Sequence, residues 1–210
     1  MGFLGCDSID LVLYLARILY ADGKTVQLLD YTEQLLLLRA AMILEESLYE
    51  ENEYRNIPIL AGFREEIERM SNAEYVFCYF GDRLLQRQFI QCREWIFVTD
   101  MLPHHADLFR AVPDNAAVKR CIIRNVLPLK YDERYLMERM QQTISKEQIY
   151  LLPYDEKDYK SSCYLEMDCS HKMVGLSYEM KQLLADLAVQ ITEKKEIYTR
   201  REFAALLKRA

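Results

Sequence analysis

Apolar positions along the chain recur with two different periods, and the alternation between them predicts its elements. Residues 2–6 form a short apolar run ending near Gly5. Asp7 or Ser8 is then placed to cap a helix, because short oxygen-bearing side chains satisfy the free amides of a first turn. Ile9, Val12, Leu13, Ala16, Leu19 and Tyr20 follow the i, i+3, i+4, i+7 spacing of one helical face. Ala21-Asp22-Gly23 stops that helix, glycine supplying the left-handed backbone that a helix end commonly needs. Val26–Asp30 reads as the next strand. A strand, a helix and a strand within thirty residues make a βαβ unit, whose strands run parallel.

The pattern weakens between Thr32 and Asn56. Gln34–Leu44 is apolar nearly all round and predicts a helix with an acidic end rich in glutamate, with a strand inside 34–38 as the alternative. Tyr54–Leu60 adds a short strand. Further on, Tyr75–Phe80, Trp95–Thr99, Arg120–Arg124 and Ile149–Leu152 are short β-branched or aromatic runs. Helical stretches are expected at 83–92, 104–112, 132–145 and 177–192, the last capped by Ser177, with Met180, Leu183, Leu184, Leu187, Ala188 and Ile191 on one face. Alternating strands and helices predict an α/β fold, a mostly parallel sheet with helices on both faces. One domain over 1–192 is expected, with 193–210 as a short amphipathic helix attached to it.

Composition supports a single sizeable core. Half the residues are hydrophobic (51%), while Gly (6) and Pro (5) are few. The net charge of −6 argues against non-specific nucleic-acid binding, which draws its affinity from Lys and Arg on phosphates. The six cysteines contain no CxxC pair, and Cys6, Cys78 and Cys121 fall in apolar runs, where cysteine behaves as a small hydrophobe. Free thiols and a cytoplasmic location are the expectation. No apolar run approaches the ~18 residues of a membrane span. Met1-Gly2 and Phe3–Cys6 imitate lipidation signals, yet both read better as a buried first strand.

Ligands of parallel α/β sheets bind beyond the carboxyl ends of the strands, so the first strand-to-helix turn carries the most information. It reads Gly5-Cys6-Asp7-Ser8-Ile9-Asp10. Together with the helix behind it, "DGK" at 22–24 and "VQLLD" at 26–30, this opening resembles the ParA/MinD family of ATPases, including its pilus-assembly branch (CpaE and TadZ). The resemblance spans 1–30, 73–128 and 147–191, and it implies a P-loop-NTPase-like three-layer sandwich. Members of that family carry a glycine- and lysine-rich phosphate loop at this turn. Here the loop position holds Gly5, Cys6, Asp7 and Ser8. A phosphate loop needs glycines so that successive N–H groups converge on oxygen, and a lysine to offset charge. One glycine, no cation and the carboxylates of Asp7 and Asp10 are the opposite provision. Carboxylates at a helix N-terminus also take up the potential that would attract a phosphate.

Gly23-Lys24-Thr25 spells the end of a Walker motif, but it leads from helix into strand and Ile18 stands where the companion glycine belongs, so it reads as a helix stop. The resemblance also implies a magnesium-organising aspartate at the end of the 74–79 strand. That position is Tyr79, and Asp82 further on reads as a turn residue. On the base side, Asn125 and the Pro153-Tyr154-Asp155 turn resemble the family's adenine pocket, making Asn125, Pro153 and Asp155 candidate base contacts. Asn, Pro and Asp are also ordinary turn residues.

Elsewhere the chemistry is thin. His104 and His105 follow Pro103 and read as an exposed helix start, since adjacent helical residues point about 100° apart. Cys163, Asp168, Cys169 and His171 lack a standard zinc spacing, and no metal or cofactor is expected. No catalytic triad is signalled locally. Thr199 and Glu202 form a capping box, and the helix behind it gathers Phe203, Leu206 and Leu207 in one arc flanked by Arg200, Arg201, Lys208 and Arg209. That arc is a candidate partner or membrane face for residues 199–210, at the inner membrane surface. Docking on its own domain or on a partner is the preferred reading, because ten residues bury little surface in lipid.

These features point to a non-catalytic pseudo-ATPase acting as an interaction or positioning scaffold. By resemblance it would serve a secretion, pilus or division apparatus, with protein partners and a homodimer among the expectations. The alternative is a nucleotide switch using Asn125, Pro153 and Asp155 for a base and Lys24 or Arg83 for phosphate. A peripheral membrane adaptor acting through the tail is compatible with the first reading.

Overall fold

Alternation within the strands sends successive side chains to opposite faces of a sheet, and the first strand shows the consequence: Phe3 enters one core and Leu4 the other. The structure, a computed structural model, describes residues 1–6, 8–41, 52–62, 72–82, 92–112, 117–127, 135–136, 138, 144–167, 173–193 and 198–210. Its strands are β1 (Gly2–Gly5), β2 (Val26–Asp30), β3 (Asn52–Tyr54), β4 (Ile57–Ala61), β5 (Tyr75–Tyr79), β6 (Glu94–Thr99), β7 (Ala117–Val126) and β8 (Ile149–Pro153). They form one sheet in the order β3-β4-β2-β5-β1-β6-β7-β8. Every pairing is parallel except β3 with β4. The expected α/β architecture is therefore the observed one.

One face is covered by α1 (Ile9–Ala21), α2 (Leu36–Ala40), α4 (Glu156–Met167), α5 (Tyr178–Ile191) and α6 (Arg200–Arg209). On the other, α3 (Pro103–Ala106) and the 3-10 turn Asp107–Ala111 bring Ala106 and Phe109 against Phe97, with Leu136 and Ile144. α1 is buried along nearly its whole length, as expected of the helix joining two strands in the middle of a sheet.

Several expectations are corrected in detail. Tyr54–Leu60 is not one strand but part of a hairpin, because Arg55 (φ 50°) and Asn56 (φ 64°) take the left-handed backbone of a tight two-residue turn. A strand within 34–38 is also excluded. The buried Asp30 carboxylate accepts from Leu37 N (2.7 Å) and Leu38 N (3.0 Å), satisfying amides that the first turn of α2 leaves free. Burial pushes the Asp30 carboxyl above its ordinary value, while bonds from Thr32, Leu38 and Leu37 pull the other way. The helix expected at 104–112 is one short α-turn followed by a 3-10 turn. The helix at 156–167 has no counterpart in the sequence reading. The helices expected at 83–92 and 132–145 fall almost wholly outside the described residues.

The C-terminal helix docks on its own domain. Its capping box forms as expected, Thr199 Oγ1 accepting from Glu202 N and Glu202 Oε2 from Thr199 N. Phe203, Leu206 and Leu207 are buried in the same core as α1 and α5, so the arc does not offer a free lipid-facing surface in this conformation. Arg17, buried within α1, donates through Nε to the Ala210 oxygen at 2.6 Å, and Arg55 donates to the same oxygen at 2.8 Å. Phe203→Ala should cost about 3–5 kcal/mol in urea unfolding, the range for truncating a buried Phe, while exposed Arg201→Ala should be neutral. A Phe203 loss below about 1 kcal/mol would show that α6 is undocked in solution.

Candidate functional site

The strand order puts β1 between β5 and β6, with β2 beyond β5 and β7 beyond β6. The chain leaves β1 toward one side and later crosses to the other, so the carboxyl end of β1 lies at the switch point where α/β folds bind ligands. Gly5 ends that strand at φ 127°, a backbone region that L side chains rarely adopt. A Cβ there would lie 1.8 Å from the Val98 carbonyl oxygen, so β1 presses directly on the end of β6.

Two amides at this turn are already committed. Gly5 N donates to Gly81 O at 2.7 Å and Cys6 N donates to Val98 O at 3.2 Å. In a phosphate loop such groups turn toward the ligand. Ser8 occupies the N-cap of α1, yet its side chain makes no cap hydrogen bond. Its buried Oγ has no hydrogen-bond partner among the described residues. Within the first turn of α1, Asp10 Oδ1 accepts from Leu11 N at 2.8 Å. Asp7 lies outside the described residues.

Asp10 is also one half of a buried ion pair. Arg124, at the far end of β7, donates Nη1 to Oδ1 and Nη2 to Oδ2, both at 2.7 Å. The pair is a two-pronged fork, the geometry in which guanidinium and carboxylate bind most strongly. Both side chains are only 5–6% exposed. The start of α1, which favours an anion, therefore holds one supplied by the chain itself.

A second group converges on the same edge. Asp100 and His105 follow β6, and their side chains meet at 2.9 Å between Oδ2 and Nδ1. Asp100 is steadied by Leu102 N, which donates to Oδ1 at 2.8 Å. Cys6 joins them, and donor atoms of Cys6, Asp100 and His105 all lie within 4.8 Å of one another. Each of the three is partly exposed.

The candidate base contacts are brought together. Val126 pairs with Pro153, and Tyr154 N donates to Val126 O at 3.2 Å, so Asn125 stands beside the Pro153–Asp155 turn. Asn125 has φ 54° at an irregularity in β7. Asp155 is partly explained locally, because its Oδ1 accepts from Lys157 N in the first turn of α4. Lys24 is not brought to this edge. It precedes β2 at the opposite end of the sheet and pairs with Glu74 at 3.4 Å, which removes it as a phosphate ligand. Asp82 is an exposed turn residue. Arg83, Asp168, Cys169 and His171 lie outside the described residues.

Away from the sheet edge, a groove of about 540 Å³ separates α5 from α6. Phe203 and Leu207 form part of its floor and Tyr178 part of its wall. Lys157, Lys181, Arg200 and Lys208 also line it, and no carboxylate pairs with these four among the described residues. Arg200 sits 5.6 Å from the Tyr178 ring centre, a cation–π contact.

No protein-family model and no curated protein sequence matches the chain. Solved structures do resemble it in fold. A chain of a MinC:MinD cell division protein complex from Aquifex aeolicus superposes with a TM-score of 0.57 at 13% identity, covering 95% of this chain and 98% of that one. A plasmid partition protein from Borrelia burgdorferi B31, bound to AMPPNP, gives 0.59 at 10% identity over 93% and 98%. The pNOB8 ParA bound to nonspecific DNA gives 0.52 at 12% identity over 93% and 99%. The fold is that of the ParA/MinD ATPases.

β1 ends at Gly5 and α1 begins at Ile9 as the apolar pattern predicts, but that pattern does not announce the contacts made there. Arg124 was legible only as the end of a strand. Asp100 and His105 stood ninety-odd positions from Cys6, with nothing in the pattern to announce that β6 would lie beside β1. Asp10→Ala and Arg124→Ala should each lower stability by about 3–5 kcal/mol, because each strands a buried charge. The double variant should cost less than the sum, as a double-mutant cycle in urea unfolding would show. Additive losses would mean that the two side chains do not pair in solution.

Proposed function

We propose that the chain is a non-hydrolysing variant of the ParA/MinD fold that works as a protein-interaction or positioning scaffold. The observation carrying this reading is the spent state of the phosphate position: Gly5 and Cys6 amides bond Gly81 and Val98, and Asp10 with Arg124 occupies the start of α1. A triphosphate would have to displace these bonds and break into the buried Asp10–Arg124 fork, at a desolvation cost that a lysine-bearing glycine loop avoids. Tyr79 is buried where the family's pattern implies a metal-organising aspartate.

Folds of this kind occur in a cell division protein complex and in plasmid partition proteins. By that likeness, the apparatus served here is one that must be placed within the cell, and the sequence resemblance favours the pilus-assembly branch. A homodimer through the strand-end face fits the same reading. The partner surface we favour is the groove between α5 and α6, whose four cations suit an acidic protein segment in a chain that is itself net negative. Burial of Phe203, Leu206 and Leu207 argues against lipid as the partner of that helix. No described helix is long and apolar enough to cross a membrane.

The second reading, a nucleotide switch with an unorthodox phosphate site, draws on one observation: Asn125 and the Pro153–Asp155 turn stand together as a base pocket would require. Thermal unfolding with ATP, ADP or GTP and magnesium separates the two. We expect no stabilisation and no phosphate release. A ligand at 100 times its Kd would stabilise by about 2.7 kcal/mol, and a shift of that size, lost in Asn125→Ala, would replace the scaffold by the switch.

A further inference from the structure

We propose that Cys6, Asp100 and His105 form a binding site for a zinc-class divalent metal ion at the carboxyl edge of the central strands. The thiol, the imidazole and the carboxylate come from the turn after β1 and the segment after β6. They are brought together by backbone constraint and not by the flexibility of surface side chains. Gly5 lets β1 abut the Val98 carbonyl, and Cys6 N bonds that same carbonyl. On the other side, Leu102 N fixes Asp100, and Asp100 fixes His105.

The shape of the group decides between two chemistries. In a nucleophile relay the imidazole stands between its partners, so the thiol and the carboxylate lie about 7–8 Å apart, a ring's width plus two hydrogen bonds. Here every donor lies within 4.8 Å of every other, which is a triangle and not a line. Donors bound to one ion at about 2.0–2.3 Å stand about 3.3–3.8 Å apart in tetrahedral geometry. The triangle therefore needs only a small contraction, with the His105–Asp100 hydrogen bond opening as both turn to the ion. A sulfur, a nitrogen and an oxygen donor make a set suited to zinc and poorly suited to magnesium or calcium, which take oxygen alone. Three protein ligands leave a fourth position for water or an external group, as in sites that stay open.

The charges also agree. A thiolate and a carboxylate neutralise a dication, and binding releases the thiol proton to solvent. All three side chains are partly exposed, so an ion can enter without unfolding the edge. The site does not depend on the scaffold reading, since it uses none of the groups that argue against nucleotide binding except the Cys6 amide.

The test uses the 210-residue chain prepared without a histidine tag, stripped with chelator and titrated with Zn²⁺. One zinc per chain is expected. Cys6→Ser, His105→Ala and Asp100→Asn should each weaken binding by about 100-fold or more, beyond the roughly 10- to 100-fold that groups merely supporting a ligand contribute. His104→Ala and Cys163→Ser should leave it unchanged. Co²⁺ in place of zinc should show thiolate-to-metal absorption that disappears in Cys6→Ser. If a variant fails to fold, the wild-type chain still answers: zinc should protect Cys6 from iodoacetamide, mapped by mass. Sub-stoichiometric zinc, binding that survives loss of Cys6 or His105, or alkylation of Cys6 unaffected by zinc would each overturn the proposal.

Discussion

Everything at the carboxyl edge of the central strands follows from how closely β1 approaches β6. With any side chain at position 5, a Cβ would fall 1.8 Å from the Val98 oxygen, and the two strand ends would be forced apart. Glycine removes that obstacle at the cost of backbone entropy. The contact then uses the Cys6 amide, holds the turn short and sets Cys6 beside the segment that follows β6. The loop after β5 closes from the other side through Gly81, itself in a left-handed conformation (φ 62°). A wider turn would have left amides facing outward. This one turns them toward its neighbours.

Why the fold was readable, and the edge only partly, follows from what each depends on. β1, α1 and β2 have boundaries that local signals set: an apolar run, a helical stripe and a glycine stop at Gly23, whose φ of 81° matches that role. Ser177 caps α5 through Met180 N as its position suggests. By contrast, the apolar residues of α4 do not fall on one face. Its residues Asp158, Ser161 and Leu165 face the protein, and Asp158 is held there by Ser177, so tertiary contacts and not a hydrophobic stripe make it a helix. The Arg55-Asn56 turn was masked for a similar reason, since neither residue is glycine, yet both adopt positive φ. At the edge, Asp10 was legible as a charge but its partner was not, because 114 residues separate it from Arg124.

A buried ion pair at such a place is weak evidence for stability, since a matched apolar pair would serve as well or better. Its value is positional. The fork ties the first turn of α1, which follows β1, to the carboxyl end of β7 across the intervening β6, fixing where α1 begins relative to the sheet. α1 is the most deeply buried helix described, and its register decides how α5 and α6 pack on it. The fork therefore acts at one end of α1, while Arg17 holding the Ala210 oxygen acts further along. Burial pushes the Arg17 guanidinium below its ordinary value, a cost borne by the Tyr54 and Ala210 contacts around it.

The same fold can reverse the sign of what it attracts. A strand-to-helix turn draws anions when its amides are free, its glycines let them converge and a lysine stands by. In the proposed reading, spending the Gly5 and Cys6 amides internally and seating a carboxylate on the helix start cancels that attraction without altering the sheet. Any further donors gathered there then face a neutral or negative environment, in which a thiol, an imidazole and a carboxylate are better placed to hold a cation than to meet a phosphate. Architecture and ligand class are thus separable at this edge. Gly5 is required for the close packing, whereas Cys6, Asp10, Asp100, His105 and Arg124 determine the electrostatic character of what that packing encloses.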